Sequence, residues 1–272
     1  MTPKEVFQDS FRIAELLLHL YRLLENEGLV TEGDLVIRLR QLLNTAADEQ
    51  IQLVMNTLFL GCIREEAGVP ANVLRPQSLS NLLRQAVVSG CTAYETYLSA
   101  VLDKHIDLVI ELKQHDFFPN DNDVSTYFAD LSFSIGDAFR LLSDKERSVF
   151  LGRKIVKFVQ SKNLGSPAGL KTVGLLLGLE APWDQVAEHL KRERKDITKP
   201  VADAIARRNA IVHRADRDLA AGNMEKQQIG YAWTHQAVDT IKHVCLAFDE
   251  LVADRMRHVR EELEGRKQVT GV

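Results

Sequence analysis

Apolar residues recur along this chain at helical spacing, with no alternating strand bounded by hairpin turns to interrupt them. Near the N-terminus Phe7, Phe11, Ala14, Leu17 or Leu18, and Tyr21 share one face, which predicts a helix over about 3–27. Thr2 stands ready as its cap before Pro3, and Gly28 closes it. A second helical stretch runs from about 33 to 67 and ends near Gly68-Val69-Pro70. The segment PANVLRPQS, 70–78, has two prolines and a serine suited to capping, and reads as a linker. From Leu79 to about Lys113 the stripe Leu79, Leu82, Leu83, Ala86, Val87, Gly90, Tyr94, Leu98, Val101 and Leu102 predicts one long amphipathic helix.

Between 115 and 182 the pattern fragments. FFPNDND is a turn, LSFSIGDAFRLLSDKERSVFLGRKIVKFVQ reads as helices, and NLGSPAGL reads as a loop. Gly165, Pro167, Gly169, Gly174 and Gly178 make this the least regular part, and a recognition loop and a simple insertion fit it equally well. Pro182-Trp183 opens a helix to about 194, another covers about 197–216, and residues 218–227 with Gly222 read as a loop. A final helix over about 229–264 buries Trp233, Val238, Ile241, Val244, Cys245, Phe248, Leu251 and Val252. The expected fold class is therefore all-α: an N-terminal helical segment over 1–70, a helical bundle over 77–265 with an irregular middle insertion, and a short tail over 266–272.

Composition narrows this picture by exclusion. At 272 residues the chain can bury a sizeable core, and 45% hydrophobic with 26% charged residues is ordinary for a globular protein. Its longest apolar runs, such as LVMNTLFLGCI at 53–63, fall short of the roughly 20 residues of a membrane span. The N-terminus has no uniform apolar signal region, so a cytoplasmic protein with no membrane partner is expected. Cys62, Cys91 and Cys245 show no Cys-x-x-Cys spacing and lie among apolar neighbours, which predicts buried free thiols. No Walker-type loop or GxGxxG is present, which argues against an ATPase or a dehydrogenase, and no cofactor is expected.

Charge is unevenly placed. The chain carries −4 overall, yet residues 188–217 hold nine Lys/Arg against five acids, leaving −8 for the remainder. A basic patch on an acidic body suits a site that handles phosphate at one place, not a protein that coats nucleic acid. Within it lies RRNAIVHRADR, 207–217, which gathers Arg207, Arg208, Asn209, His213, Arg214 and Arg217. Successive helical residues turn by about 100°, so Asn209 and His213 lie roughly 40° apart on one face. Arg208 and His213, five apart, lie about 140° from each other and converge only if the helix ends near the histidine or the arginine's long side chain wraps round.

These residue types suit RNA cleavage without a metal. An imidazole that titrates near neutrality takes a proton from a ribose 2′-OH or gives one to the leaving 5′-oxygen. A forked guanidinium holds the pentavalent phosphate. One histidine is too few to act as base and acid at once, so the pattern asks for a homodimer in which a two-fold axis brings two His213 and two Arg208 together.

Arg208-Asn209-Ala210-Ile211-Val212-His213 resembles the Arg-x4-6-His motif of HEPN-domain ribonucleases, in the form where a polar residue follows the arginine. The setting is also similar: a long helix near 79–113, a variable middle, the motif at the end of the penultimate helix, and a long last helix. AVVSGCTAYETYLSAVL, 86–102, is similar to the first helix of such domains and includes Glu95 where an acidic residue supports the motif arginine. The resemblance covers about 77–265. It implies a four- or five-helix bundle, a dimer with a composite site, and metal-independent endoribonuclease activity of a prokaryotic toxin or abortive-infection effector. It further implies Arg208, His213, Asn209 and Glu95 as the catalytic set, RNA as substrate, and control by a nucleotidyltransferase-like antitoxin. Arg207, Arg214 and Arg217 are the expected RNA contacts around that set.

Ordinary structural roles compete at several positions. Cations at a helix C-terminus favourably face its dipole, which accounts for Arg214 and Arg217 nearly as well, although not for Asn209 inside a helix. Glu95 serves equally as a plain ion-pair partner, and Asn209 either orients the histidine or binds phosphate. Tyr94 and Tyr97 read as packing residues before base-stacking ones. His235, Asp239 and His243, spaced i, i+4, i+8, lack a fourth ligand and read as a solvated or dimer-contacting face more readily than a metal site.

Overall fold

The computed structural model describes residues 1–25, 76–114, 117, 128–143, 147–162, 164–217 and 226–270. Among these every regular element is a helix: α1 Pro3–Glu25, α2 Pro76–Lys113, α3 Ile135–Ser143, α4 Arg147–Ser161, α5 Pro167–Leu176, α6 Pro182–His189, α7 Arg194–Arg214 and α8 Tyr231–Thr270. The expected all-α class is what is seen. The helix read over 33–67 and most of the 70–78 linker lie outside the described residues, as does Cys62.

Local chemistry explains where these helices start. Thr2 Oγ1 accepts from Glu5 N–H at 3.2 Å while Glu5 Oε2 accepts from Thr2 N–H at 2.6 Å, a reciprocal capping box that opens α1. Ser134 and Asp137 repeat it before α3. The NLGSPAGL stretch corrects the loop reading: Ser166 caps α5 by accepting from Gly169 N–H at 3.1 Å, and Pro167 occupies the first turn, where its missing N–H costs nothing. Gly169 is needed because a Cβ there would run into the Leu164 carbonyl oxygen. Gly169 and Gly174, which looked like loop punctuation, are close-packing positions, whereas Gly178 takes a left-handed φ of +86° after α5.

Helices α2 and α8, of 38 and 40 residues, form the spine, and α1, α4, α5 and α7 pack around α2. Tyr97 of α2 marks the centre, with Phe7 of α1 edge-on at 5.5 Å and Phe248 of α8 at 6.4 Å. Both Tyr94 and Tyr97 are fully buried packing residues, their hydroxyls 3.2 Å from the Ser166 carbonyl and Asp249 Oδ1. Helix α1 thus shares the core of the residues that follow it, through Phe7, Phe11, Ala14, Leu18 and Tyr21. No helix among the described residues is long and apolar enough to cross a membrane.

One buried histidine makes the fold sensitive to acid. His105 on α2 is 8% exposed, and its Nδ1 has no hydrogen-bond partner among the described residues. Burial first, then the charges of Lys104 and Arg260, lower it from 6.5 to about 4. Between those two values the unfolded chain binds a proton that the folded chain does not, so stability falls as pH drops through the window and the loss is complete below the lower value. Urea unfolding at pH 7.5 and 4.5 should show about 2–3 kcal/mol of pH-dependent destabilisation that His105→Gln lacks. An equal pH dependence in both proteins would rule out this origin.

Candidate functional site

Helix α7 has two halves with different surroundings. Ile197, Val201, Ala204 and Ile205 anchor its first half in the core, whereas beyond Ile205 only Ala210 is buried. The last two turns therefore present Arg208, Asn209, Val212 and His213 at the surface while the first half holds the helix axis fixed.

Arg208 points toward α2. Its Nη2 lies 3.7 Å from Glu95 Oε2, and its Nη1 donates to Asn209 Oδ1 at 3.1 Å. Cys91, one turn before Glu95, lies beneath the pair. Burial pushes its thiol up to about 12, with Arg208 pulling it down and Glu95 pushing it up. A half-exposed ion pair at that distance contributes at most about 1 kcal/mol to stability, so its effect is to orient the guanidinium. His213, one turn beyond Asn209, is exposed and makes no hydrogen bond or ion pair among the described residues. Next to it Val212 is 52% exposed.

The other arginines of the stretch separate into different environments. Arg214 is exposed in the last turn. Arg217 is half-buried, its Nε without a hydrogen-bond partner among the described residues. Arg207 faces inward: its Nη2 donates to Asp216 Oδ2 at 2.9 Å and to the Gln228 carbonyl at 2.9 Å, and its Nη1 donates to Gln227 Oε1 at 3.0 Å. It also stands 6.0 Å from the Trp233 ring. Its guanidinium is thus held by the protein itself, a role that residue type and spacing alone did not reveal.

Asp216 and Arg84 are the group that sequence reasoning missed. Asp216 is completely buried, and Arg84 Nε of α2 donates to its Oδ2 at 2.6 Å. The one available signal was Arg84 itself, a charge set beside Leu83 on the apolar side of a long helix.

No family model, curated protein or solved structure matches this chain.

Two other features are separate from this group. A groove of about 690 Å³ between the first half of α7 and the start of α8 is lined by Arg192, Lys195, Lys199, Asp203, Trp233 and Asp239 among others. Its charges are mixed, and Lys199 is already bound to Asp203 at 2.7 Å. On α8, His243 Nδ1 lies 3.2 Å from Asp239 Oδ2 and His235 packs 5.5 Å from the Tyr231 ring. No cluster of three potential metal ligands occurs among the described residues.

Proposed function

We propose that the protein is a HEPN-type endoribonuclease that cleaves RNA without a metal, acting in the cytoplasm as a prokaryotic toxin or anti-phage effector. The observation that carries this reading is the arrangement at the end of α7: Arg208 oriented by Glu95 and Asn209, with a solvent-facing His213 one turn beyond Asn209.

In this mechanism the ribose 2′-oxygen attacks the adjacent phosphorus and the bond from phosphorus to the 5′-oxygen breaks. A neutral His213 takes the 2′-hydroxyl proton, and a protonated His213 from a second chain gives one to the departing 5′-oxygen. Arg208 neutralises charge on the pentavalent phosphate and Asn209 supports it or the imidazole. The products are a 2′,3′-cyclic phosphate and a free 5′-hydroxyl. Val212, an exposed apolar side chain beside the histidine, supplies a surface for a second copy to cover. Arg214 and Arg217 remain as contacts for flanking phosphates, while Arg207 acts within the fold.

A second reading, a helical module that binds RNA or a nucleotide without cutting, draws support from the single histidine at the site of one chain. Incubating the purified protein with total cellular RNA in EDTA and mapping the ends separates the two. Cuts bearing cyclic phosphate support the ribonuclease. Ends with a free 3′-hydroxyl, or complete inhibition by EDTA, refute the mechanism, and RNA bound but uncut favours the binding module.

A further inference from the structure

We infer that Asp216 is a positioning residue for the proposed ribonuclease site, holding the His213 end of α7 in register with the helix that carries Glu95. The inference rests on the reading of Arg208 and His213 given above. It starts from backbone conformation. Ala215 and Asp216 follow directly after α7, with φ of +49° and +64°. Two successive non-glycine residues in the left-handed region are unfavourable and persist only where surrounding contacts over-determine them.

Those contacts converge on Asp216. Its Oδ2 accepts from Arg84 Nε at 2.6 Å and from Arg207 Nη2 at 2.9 Å, and its Oδ1 lies 2.7 Å from Arg207 Nε. Its carbonyl accepts from Gln227 N–H at 2.8 Å, and its own N–H donates back to the Ala210 carbonyl at 2.9 Å. The two arginines also share the Gln227 carbonyl, at 2.6 Å from Arg84 and 3.1 Å from Arg207. A bridge between Arg217 and Lys226 continues the same fastening.

The placement of these contacts relates them to the site. Arg84 and Glu95 lie on α2, about three turns apart. Arg208 pairs with Glu95, and Asp216, further along the chain, pairs with Arg84, nearer the start of α2. The end of α7 and α2 are therefore joined by two rungs in antiparallel order, and His213 falls between them. With no hydrogen bond of its own to hold it, the histidine takes its position from the backbone that Asp216 fixes.

Asp216→Asn tests this, because asparagine tolerates the left-handed region as aspartate does, while the change removes the charge and replaces one of the two accepting oxygens with an N–H donor. Compared with wild type well below the melting temperature, the variant should lose about 10- to 100-fold in kcat for RNA cleavage with KM changed less than about 2-fold. Amide exchange over 211–216 should accelerate while that of α2 around Glu95 stays slow. A lowered Tm with unchanged kcat, or exchange that rises equally in α2 and α7, would overturn the inference and leave Asp216 a general structural residue. Should the asparagine variant not fold, Arg84→Lys, which keeps one cation but loses the fork, reads the same rung by the same two measurements. Absence of cleavage by the wild type would reject the ribonuclease reading alone, and the exchange comparison would still decide whether Asp216 fastens the end of α7.

Discussion

Replacing His213 with alanine should lower RNA cleavage by about 10²–10⁴-fold, the usual contribution of a general acid or base. The side chain is exposed and has no polar partner among the described residues, so the fold should lose no more than about 0.5 kcal/mol. Activity and stability therefore separate at this position. Arg208→Ala should cost about 10²–10³-fold through loss of phosphate charge stabilisation. Glu95→Gln should cost less, since Glu95 touches Arg208 at 3.7 Å and acts only through it. Single-turnover cleavage of a defined RNA beside urea unfolding of each variant measures both quantities. Cleavage that survives His213→Ala would end the ribonuclease mechanism, and loss of cleavage matched by loss of stability would make the histidine structural. The dimer requirement carries a further signature: activity should fall with dilution through the dimer dissociation range, because one chain supplies one imidazole.

Much of the architecture was legible because long amphipathic helices announce themselves over many turns. The stripe from Leu79 to Leu102 and the face from Trp233 to Val252 predicted α2 and α8, and Thr2-Pro3 predicted the cap of α1. Helix α5 was illegible for a physical reason. Glycine and proline carry the same letters whether they permit a turn or a close approach, and only the position of the Leu164 carbonyl shows that Gly169 is there for space. The site divides in the same way. Asn209 and His213 are four residues apart, so helical geometry puts them on one face with Arg208 beside Asn209, whereas Arg84 and Asp216 are 132 residues apart and meet only through the packing of α2 against the end of α7. In sequence Arg207 reads as an RNA contact because a run of arginines near a phosphate site looks uniform. The 100° turn between Arg207 and Arg208 gives one guanidinium to Asp216 and the Gln227 and Gln228 carbonyls and the other to Glu95 and Asn209.

Arg84→Met should destabilise the protein by about 3 kcal/mol, even though methionine keeps most of the apolar stem that arginine buries. The buried carboxylate of Asp216 would retain Arg207 and lose the donor 2.6 Å from its Oδ2, and the Gln227 carbonyl would lose the shorter of its two side-chain donors. The cost arises from leaving a desolvated charge under-compensated; the intact cluster itself adds little net stability over a well-packed apolar one. That distinction makes a measurable claim. In a cycle of Arg84→Met, Asp216→Asn and the double variant, the double should be less destabilised than the two singles combined by at least about 1 kcal/mol, since removing the carboxylate also removes the reason Arg84 is needed. Additive losses would mean that Arg84 and Asp216 act independently. A coupled loss would show that charges were buried here to fix one geometry at the end of α7, which is the property the catalytic reading of His213 depends on.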